Sequence, residues 1–106
     1  LGFSTSIEPG FWIDVRPRSG HARKGRITIQ NAPGTIDEDY RGDWILLLVN
    51  HSDCTYIIPN DKALAQGVVF KRHIAYFHEI NELDKTERGV GSFGSSDSKK
   101  EAPILT

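Results

Sequence analysis

The sequence predicts an all-β domain, and three features of it carry that expectation. Isoleucine and valine together number 16 against 7 leucines, the bias of pleated, half-buried surface rather than of helix. The apolar stretches are short and punctuated by glycine or proline, which leaves little room for helices long enough to be stable. The clearest of them alternates: Phe11, Ile13 and Val15 are interleaved with Trp12, Asp14 and Arg16, bounded by Pro9-Gly10 before and Pro17 after.

The other elements follow in order. Ile27-Thr28-Ile29 is a second, shorter alternating segment. Residues 45–49 are apolar without interruption, as in a strand covered on both faces; five residues is short for the alternative, a buried helix. Tyr56-Ile57-Ile58 is a β-prone run that enters the turn signal Pro59-Asn60-Asp61. Val68-Val69-Phe70 follows Gly67, and residues 74–77 add a last short run. Ile80 and Leu83, within residues 79–87, have the spacing of one amphipathic helical turn. Short strands separated by turns imply a sandwich or barrel.

The 106 residues allow one small domain. Leu, Ile, Val and Phe number 28, clear of a disordered composition, and no apolar run approaches the roughly 20 residues of a membrane-spanning helix. A net charge of −1 gives no argument for a nucleic-acid or membrane surface, and neither partner is expected. Cys54, the single cysteine, excludes an internal disulfide and a cysteine-based zinc site, and is compatible with a reducing compartment such as cytoplasm or nucleus. His21, His51, His73 and His78 lack zinc-site spacing and read as surface or sheet residues. The chain has no methionine and opens on Leu1, so it is expected not to start at its own initiator.

Charge is unevenly placed. From Val15 to Ile36 there is no acidic residue, while Arg16, Arg18, Arg23, Lys24 and Arg26 are all cationic; Asp37, Glu38, Asp39 and Asp43 follow at once, against Arg41. On charge alone this is a solvated basic turn beside a solvated acidic one. From Arg88 onward the composition shifts. Gly89, Gly91 and Gly94 alternate with Ser92, Ser95, Ser96 and Ser98 around a lone Phe93, a segment that cannot bury enough to fold by itself. Residues 1–87 are therefore expected to form the β domain and 88–106 a flexible arm. Glycine-rich backbone with hydroxyls and a guanidinium can wrap phosphate oxygens.

Four stretches carry a resemblance when taken together: Pro17-Arg18-Ser19-Gly20, Gly34-Thr35-Ile36-Asp37-Glu38-Asp39-Tyr40-Arg41-Gly42, Asp61-Lys62-Ala63-Leu64-Ala65-Gln66, and Arg88-Gly89-Val90-Gly91-Ser92-Phe93-Gly94-Ser95-Ser96. In order and content they resemble the second to fifth motifs of the trimeric deoxyuridine triphosphatase (dUTPase) family. The resemblance covers nearly the whole chain. It implies that family's β-jelly roll, here without its first motif and N-terminal strands. It also implies its activity, hydrolysis of dUTP to dUMP and pyrophosphate, a hydrolase reaction of nucleotide metabolism that keeps uracil out of DNA and supplies dUMP. The sequence departs from the family's pattern at Asn60, Lys62 and Ala63 in the fourth motif. In the fifth, Ser92 and Asp97 stand where glycines are common; Asp97 would place negative charge near a triphosphate and weaken closure of the arm.

The resemblance implies a role for each matched residue. Asp37 would order the attacking water, accept its proton and hold the 3′-hydroxyl. Asp39, two residues on in an extended segment, would point the other way and be structural. Tyr40 would lie against the deoxyribose and exclude a 2′-hydroxyl. Asn31, with backbone around Gly34 and Ile36, would read the uracil edge. Arg18, Ser19, Gly20 and Gln66 would hold the triphosphate. Arg88, Phe93, Gly94 and Ser95 would close over the nucleotide, Phe93 stacking on the base. Mg2+ would be held mainly by the phosphates, with no protein-only metal cage. A homotrimer would share its sites, the second and fourth motifs coming from one chain, the third from a neighbour and the arm from another. Trp12, exposed in this reading, and residues 45–49 are compatible with a subunit contact.

Two other readings remain at this stage. A dCTP deaminase of the same superfamily is disfavoured, since the segment Asp37 to Tyr40 and the glycine-rich fifth motif belong to a triphosphatase. A non-catalytic nucleotide-binding or regulatory domain draws support from the missing first motif and from Asn60, Ser92 and Asp97.

Overall fold

The computed structural model describes residues 1–96 of the chain. Its elements are β1 (Phe11–Pro17), α1 (Ser19–Gly25), β2 (Ile27–Ile29), β3 (Gly34–Ile36), β4 (Leu48–Asn50) and β5 (Ala65–Lys71). The strands form two antiparallel sheets, a three-stranded one in the order β3-β1-β5 and a two-stranded one pairing β2 with β4. The protein is thus all-β with one short helix, as expected of the jelly-roll class, and neither sheet closes into a barrel among the described residues. The chain divides into two units, Leu1–Ala75 and Tyr76–Thr106.

β1 is the centre of the first unit. It pairs along its whole length with β5, from Phe11 opposite Lys71 to Pro17 opposite Ala65, and on its other edge Ile13, Asp14 and Val15 pair with Ile36, Thr35 and Gly34. The alternation read in the sequence gives it two faces. Val15 is buried with Ile29 and Trp44, and Ile13, Ile36, Leu46 and Ala65 pack around them. Trp44 is fixed by a bond from its indole nitrogen to Thr5 (3.0 Å) and by the tilted ring of Phe3 at 5.1 Å. On the opposite face Trp12 stacks on Phe70 at 5.6 Å and donates its indole N–H to Asp14 at 3.0 Å. Trp12 is half-buried by that stack, not exposed.

Several expected elements differ. The basic stretch after Pro17 forms a helix, not a turn. Its two glycines and short length hide it in the sequence, but Arg23 and Lys24 in its last turn complement the helix dipole. Arg26 ends it in the left-handed region (φ 54°), its N–H donating to the His21 carbonyl. Residues 45–47 lie outside any strand and only Leu48–Asn50 form β4. The apolar run is not covered on both sides: Ile45 and Leu47, in that irregular stretch, are exposed, while Leu46 and Val49 are partly buried. Tyr56-Ile57-Ile58 and residues 74–77 form no strand, since nothing pairs with them among the described residues and strand propensity without a neighbour does not make a strand. β3, which sequence reading overlooked, exists because β1 offers it an edge.

The second unit contains no helix or strand among its described residues. The amphipathic turn expected over 79–87 is absent; Ile80 and Leu83 are exposed, and a single turn gains too little without a packed face. Two local turns shape residues 88–96, Gly91 N–H to Arg88 carbonyl (3.1 Å) and Ser95 N–H to Ser92 carbonyl (2.8 Å). Gly89 and Gly94 take φ of 57° and 76°, which side chains rarely adopt. Asp97 lies outside the described residues.

Candidate active site

The largest concentration of expected site residues is a cleft of about 470 Å³ at the end of β1. Arg18, Ser19 and Gly20 form one wall, where the chain leaves β1 and enters α1; Lys62 and Gln66 form the other, before and within β5. The β1–β5 register brings the walls together, because Arg16 is opposite Gln66 and Pro17 opposite Ala65. The Gln66 amide donates to the Pro17 carbonyl at 3.4 Å, which leaves its second N–H for a ligand. Lys24 adds a third cation, and no carboxylate lines this cleft among the described residues. The arrangement suits an anion with several oxygens: fixed and mobile cations, a hydroxyl and amide donors on facing walls.

Sequence reading missed two residues of this cleft, His21 and Tyr56. His21 is not a sheet residue: it sits on α1, half-buried, with one ring nitrogen 2.8 Å from the Tyr56 hydroxyl and the other 2.8 Å from the Ala63 carbonyl. Its place directly after Ser19-Gly20 was a usable signal, obscured by the search for metal-ligand spacing. The turn signal Pro59-Asn60-Asp61 closes with Lys62 N–H on the Pro59 carbonyl (3.2 Å), and Ala63, beyond that turn, supplies the carbonyl that His21 meets.

Asp37 lies elsewhere. With Phe11, Trp12, Thr35, Glu38, Asp39 and Arg72 it lines a second cleft of about 310 Å³, and with Thr35, Ile36, Tyr40, Asp43 and Ile45 a third of about 160 Å³. Neither shares a residue with the cationic cleft. Asp39 was expected to point away from Asp37, but both line the second cleft. Residues two apart in an extended segment share a face, so alternation gave no ground for separating the two, and the segment after β3 is in any case a turn, closed by Tyr40 N–H on the Asp37 carbonyl (3.2 Å). Glu38 anchors this turn: its carboxylate accepts the Gly10 amide and faces Arg72 at 3.6 Å, while its carbonyl accepts from Arg41 at 2.7 Å. Asp37 itself is exposed, and no side-chain hydrogen bond or ion pair among the described residues holds it from a ligand.

Tyr40 borders the third cleft, its hydroxyl donating to the Asp43 carbonyl at 2.9 Å. It is partly exposed and not a core residue. Asn31 is exposed in the turn between β2 and β3, and a methyl group on Gly34 would stand 3.4 Å from its amide nitrogen, so the two approach closely. Arg88, Phe93, Gly94 and Ser95 belong to the second unit. There Arg88 donates to the Gly91 carbonyl at 2.7 Å, Arg88 and Ser95 line a cleft with Glu87 and Ser96, and Phe93 is fully exposed.

Comparison with known proteins agrees with these motifs. The dUTPase family model matches residues 4–97. A protein of Nautilia profundicola named deoxyuridine 5'-triphosphate nucleotidohydrolase is 46% identical over 95 residues, covering 90% of this chain and 67% of its own length. One of the same name from Caulobacter vibrioides is 45% identical, covering 90% of this chain and 61% of its own length. Another from Helicobacter pylori is 42% identical over 100 residues, covering 94% and 69%. The chain therefore spans 61% to 69% of the length of these relatives. With a family model over nearly all its residues and relatives at this identity, the chain belongs to the dUTPase family.

Proposed function

We propose that the protein hydrolyses dUTP to dUMP and pyrophosphate. The observation that carries this reading is the cleft in which Arg18, Ser19, Gly20 and Gln66, drawn from two separate motifs, face one another with no carboxylate among the described residues that line it. Relatives that bear the name deoxyuridine 5'-triphosphate nucleotidohydrolase support the choice of nucleotide.

Arg18 binds the phosphate oxygens as a planar cation, with Ser19, the Gly20 amide and Gln66 completing the donors. Asp37 orients a water in line with the leaving pyrophosphate and accepts its proton as the water oxygen bonds to the α-phosphorus. The bond between that phosphorus and the oxygen bridging to the β-phosphate breaks, and its electron pair leaves with the pyrophosphate. Asn31 and the backbone at Gly34 and Ile36 read uracil. Tyr40 excludes a ribose 2′-hydroxyl. Phe93 stacks on the base, while Arg88, Gly94 and Ser95 cover the outer phosphates and exclude water.

A divalent ion fits this site as part of a metal–nucleotide complex. The cationic cleft offers no carboxylate donors, and no group of three or more His, Cys, Asp or Glu that could hold a metal occurs among the described residues. Mg2+, the ion we assign, supplies charge neutralisation on the phosphates when bound. This chain's residues hold the phosphates around it.

The separation of Asp37 from Arg18 within one chain supports sites shared by three copies, one giving the cationic cleft, a second Asp37 and Tyr40, a third the arm. Exposed Ile45, Leu47, Ile57 and Val69 give such copies apolar surface to cover. The test is pyrophosphate release from dUTP, dCTP, dTTP and UTP with magnesium by the full chain. Turnover confined to dUTP is expected; tight dUTP binding without turnover would overturn the catalytic reading.

A further inference from the structure

His21 joins two elements that the strand ladder leaves to themselves. It projects from α1, one residue after Gly20, and both its ring nitrogens are occupied by residues 56 and 63 on the far wall of the cationic cleft. The Ala63 partner fixes the place of one ring hydrogen. The Ala63 carbonyl can only accept, so Nε2 carries the hydrogen; in the neutral ring Nδ1 is then the acceptor, and the Tyr56 hydroxyl donates to it. With both nitrogens bonded, the ring has no donor or lone pair left for a phosphate. His21 is in the cleft wall without being a ligand.

Tyr56 is in turn held by α1. Its ring meets that of His21 edge-on, centroids 5.8 Å apart, and lies so close to Gly25 that a methyl group there would fall 2.3 Å from ring carbons. Gly25 is the last residue of α1 and buried. The helix thus grips the 56–63 segment at its first turn through His21 and at its end through the bare face of Gly25.

We propose that His21 is a positioning residue: with Tyr56 and Ala63 it clamps α1 to the segment leading into β5 and sets the separation of the two walls that hold the triphosphate. This rests on the reading of the cleft as a triphosphate site. The walls it links carry Ser19 and Gly20 on one side and Lys62 and Gln66 on the other. Loss of the clamp lets those walls part, which weakens a ligand that spans them and spares one that does not.

The test compares His21→Leu, His21→Gln and Tyr56→Phe in the full chain, measuring kcat and KM for dUTP and the inhibition constant of dUMP, which lacks the two outer phosphates. His21→Leu is expected to raise KM for dUTP about tenfold, as fits the loss of two ordinary hydrogen bonds, with kcat changed by less than about threefold and dUMP inhibition by less than about twofold. His21→Gln, whose amide can donate to the Ala63 carbonyl, should recover most of the loss, and Tyr56→Phe should show a few-fold rise. Parallel weakening of dUTP and dUMP, no change in either, or no rescue by Gln would each overturn the clamp. The ring ¹⁵N spectrum of His21 decides it independently of activity: a single Nε2–H tautomer supports it, and a mixture of tautomers overturns it. If the unaltered protein turns over no dUTP, the reading of the site fails and that spectrum alone judges the clamp.

Discussion

Glu38 and Arg72 face each other at 3.6 Å beside Asp37, and the same carboxylate accepts the amide of Gly10. The Arg72 amide also donates to the Gly10 carbonyl at 2.6 Å. One side chain therefore ties the turn after β3 to the start of β1 and the residue following β5. The pair is partly exposed, so its ionic attraction contributes little; the bond to the buried-side amide carries more. Glu38→Gln keeps an acceptor for Gly10 and should change stability by less than about 0.5 kcal/mol, whereas Glu38→Ala should cost about 1–2 kcal/mol. Urea unfolding midpoints of the two variants check the difference.

Asp37→Asn retains size and hydrogen bonding but cannot accept the proton of the attacking water. Turnover of dUTP should fall by about 10²–10⁴-fold, the range for a positioned general base, with dUTP affinity held within a few-fold. Pyrophosphate release and calorimetric titration measure the two quantities. Equal loss of both would assign Asp37 to binding alone.

Gly67 lies in β5 opposite Val15, where a methyl group would stand 3.1 Å from Ile13 Cγ2 and 3.6 Å from the Trp44 ring. Ile13, which packs against the buried Trp44, must then shift by a few tenths of an ångström. Gly67→Ala should destabilise the protein by about 1–3 kcal/mol, the usual cost of overpacking, and lower the thermal midpoint. A rise in the midpoint would show that the core has slack at this point.

Phe93 is fully exposed in the described structure, so truncating it removes no packing. Phe93→Ala should leave the thermal midpoint unchanged and raise KM for dUTP by about five- to a hundredfold, as expected if the ring stacks on the base at about 1–3 kcal/mol. Stopped-flow tryptophan or substrate-analogue fluorescence would separate slower closure from weaker binding.

Much of this was legible in the sequence, for identifiable reasons. β1 could be read because its alternation from Phe11 to Arg16 reports a strand with one face on a core, and that core proved to be Val15, Ile29 and Trp44. Arg18, Ser19, Gly20 and Gln66 could be read as a group from their motifs, though nothing in residue spacing announces that β1–β5 pairing sets them face to face. α1 could not be read, because a helix of seven residues with two glycines has no periodicity to detect and is held by its ends and by Tyr56. Residues 56–58 and 74–77 misled because propensity reports what a segment could pair with and not whether a neighbour is there. His21 escaped for a related reason: its importance lies in Tyr56 and Ala63, 35 and 42 residues away.

The division of Asp37 and Arg18 between clefts with no residue in common has a genetic consequence under the three-copy reading. A chain altered at Asp37 and one altered at Arg18 are each inactive alone, yet each carries the part the other lacks. Mixed in one assembly, they would rebuild some intact sites, so two null alleles should complement. Either chain, mixed with the unaltered one, should lower activity only in proportion to its share, because it carries one defective surface and so disables one centre, whereas a chain altered at both positions would disable two.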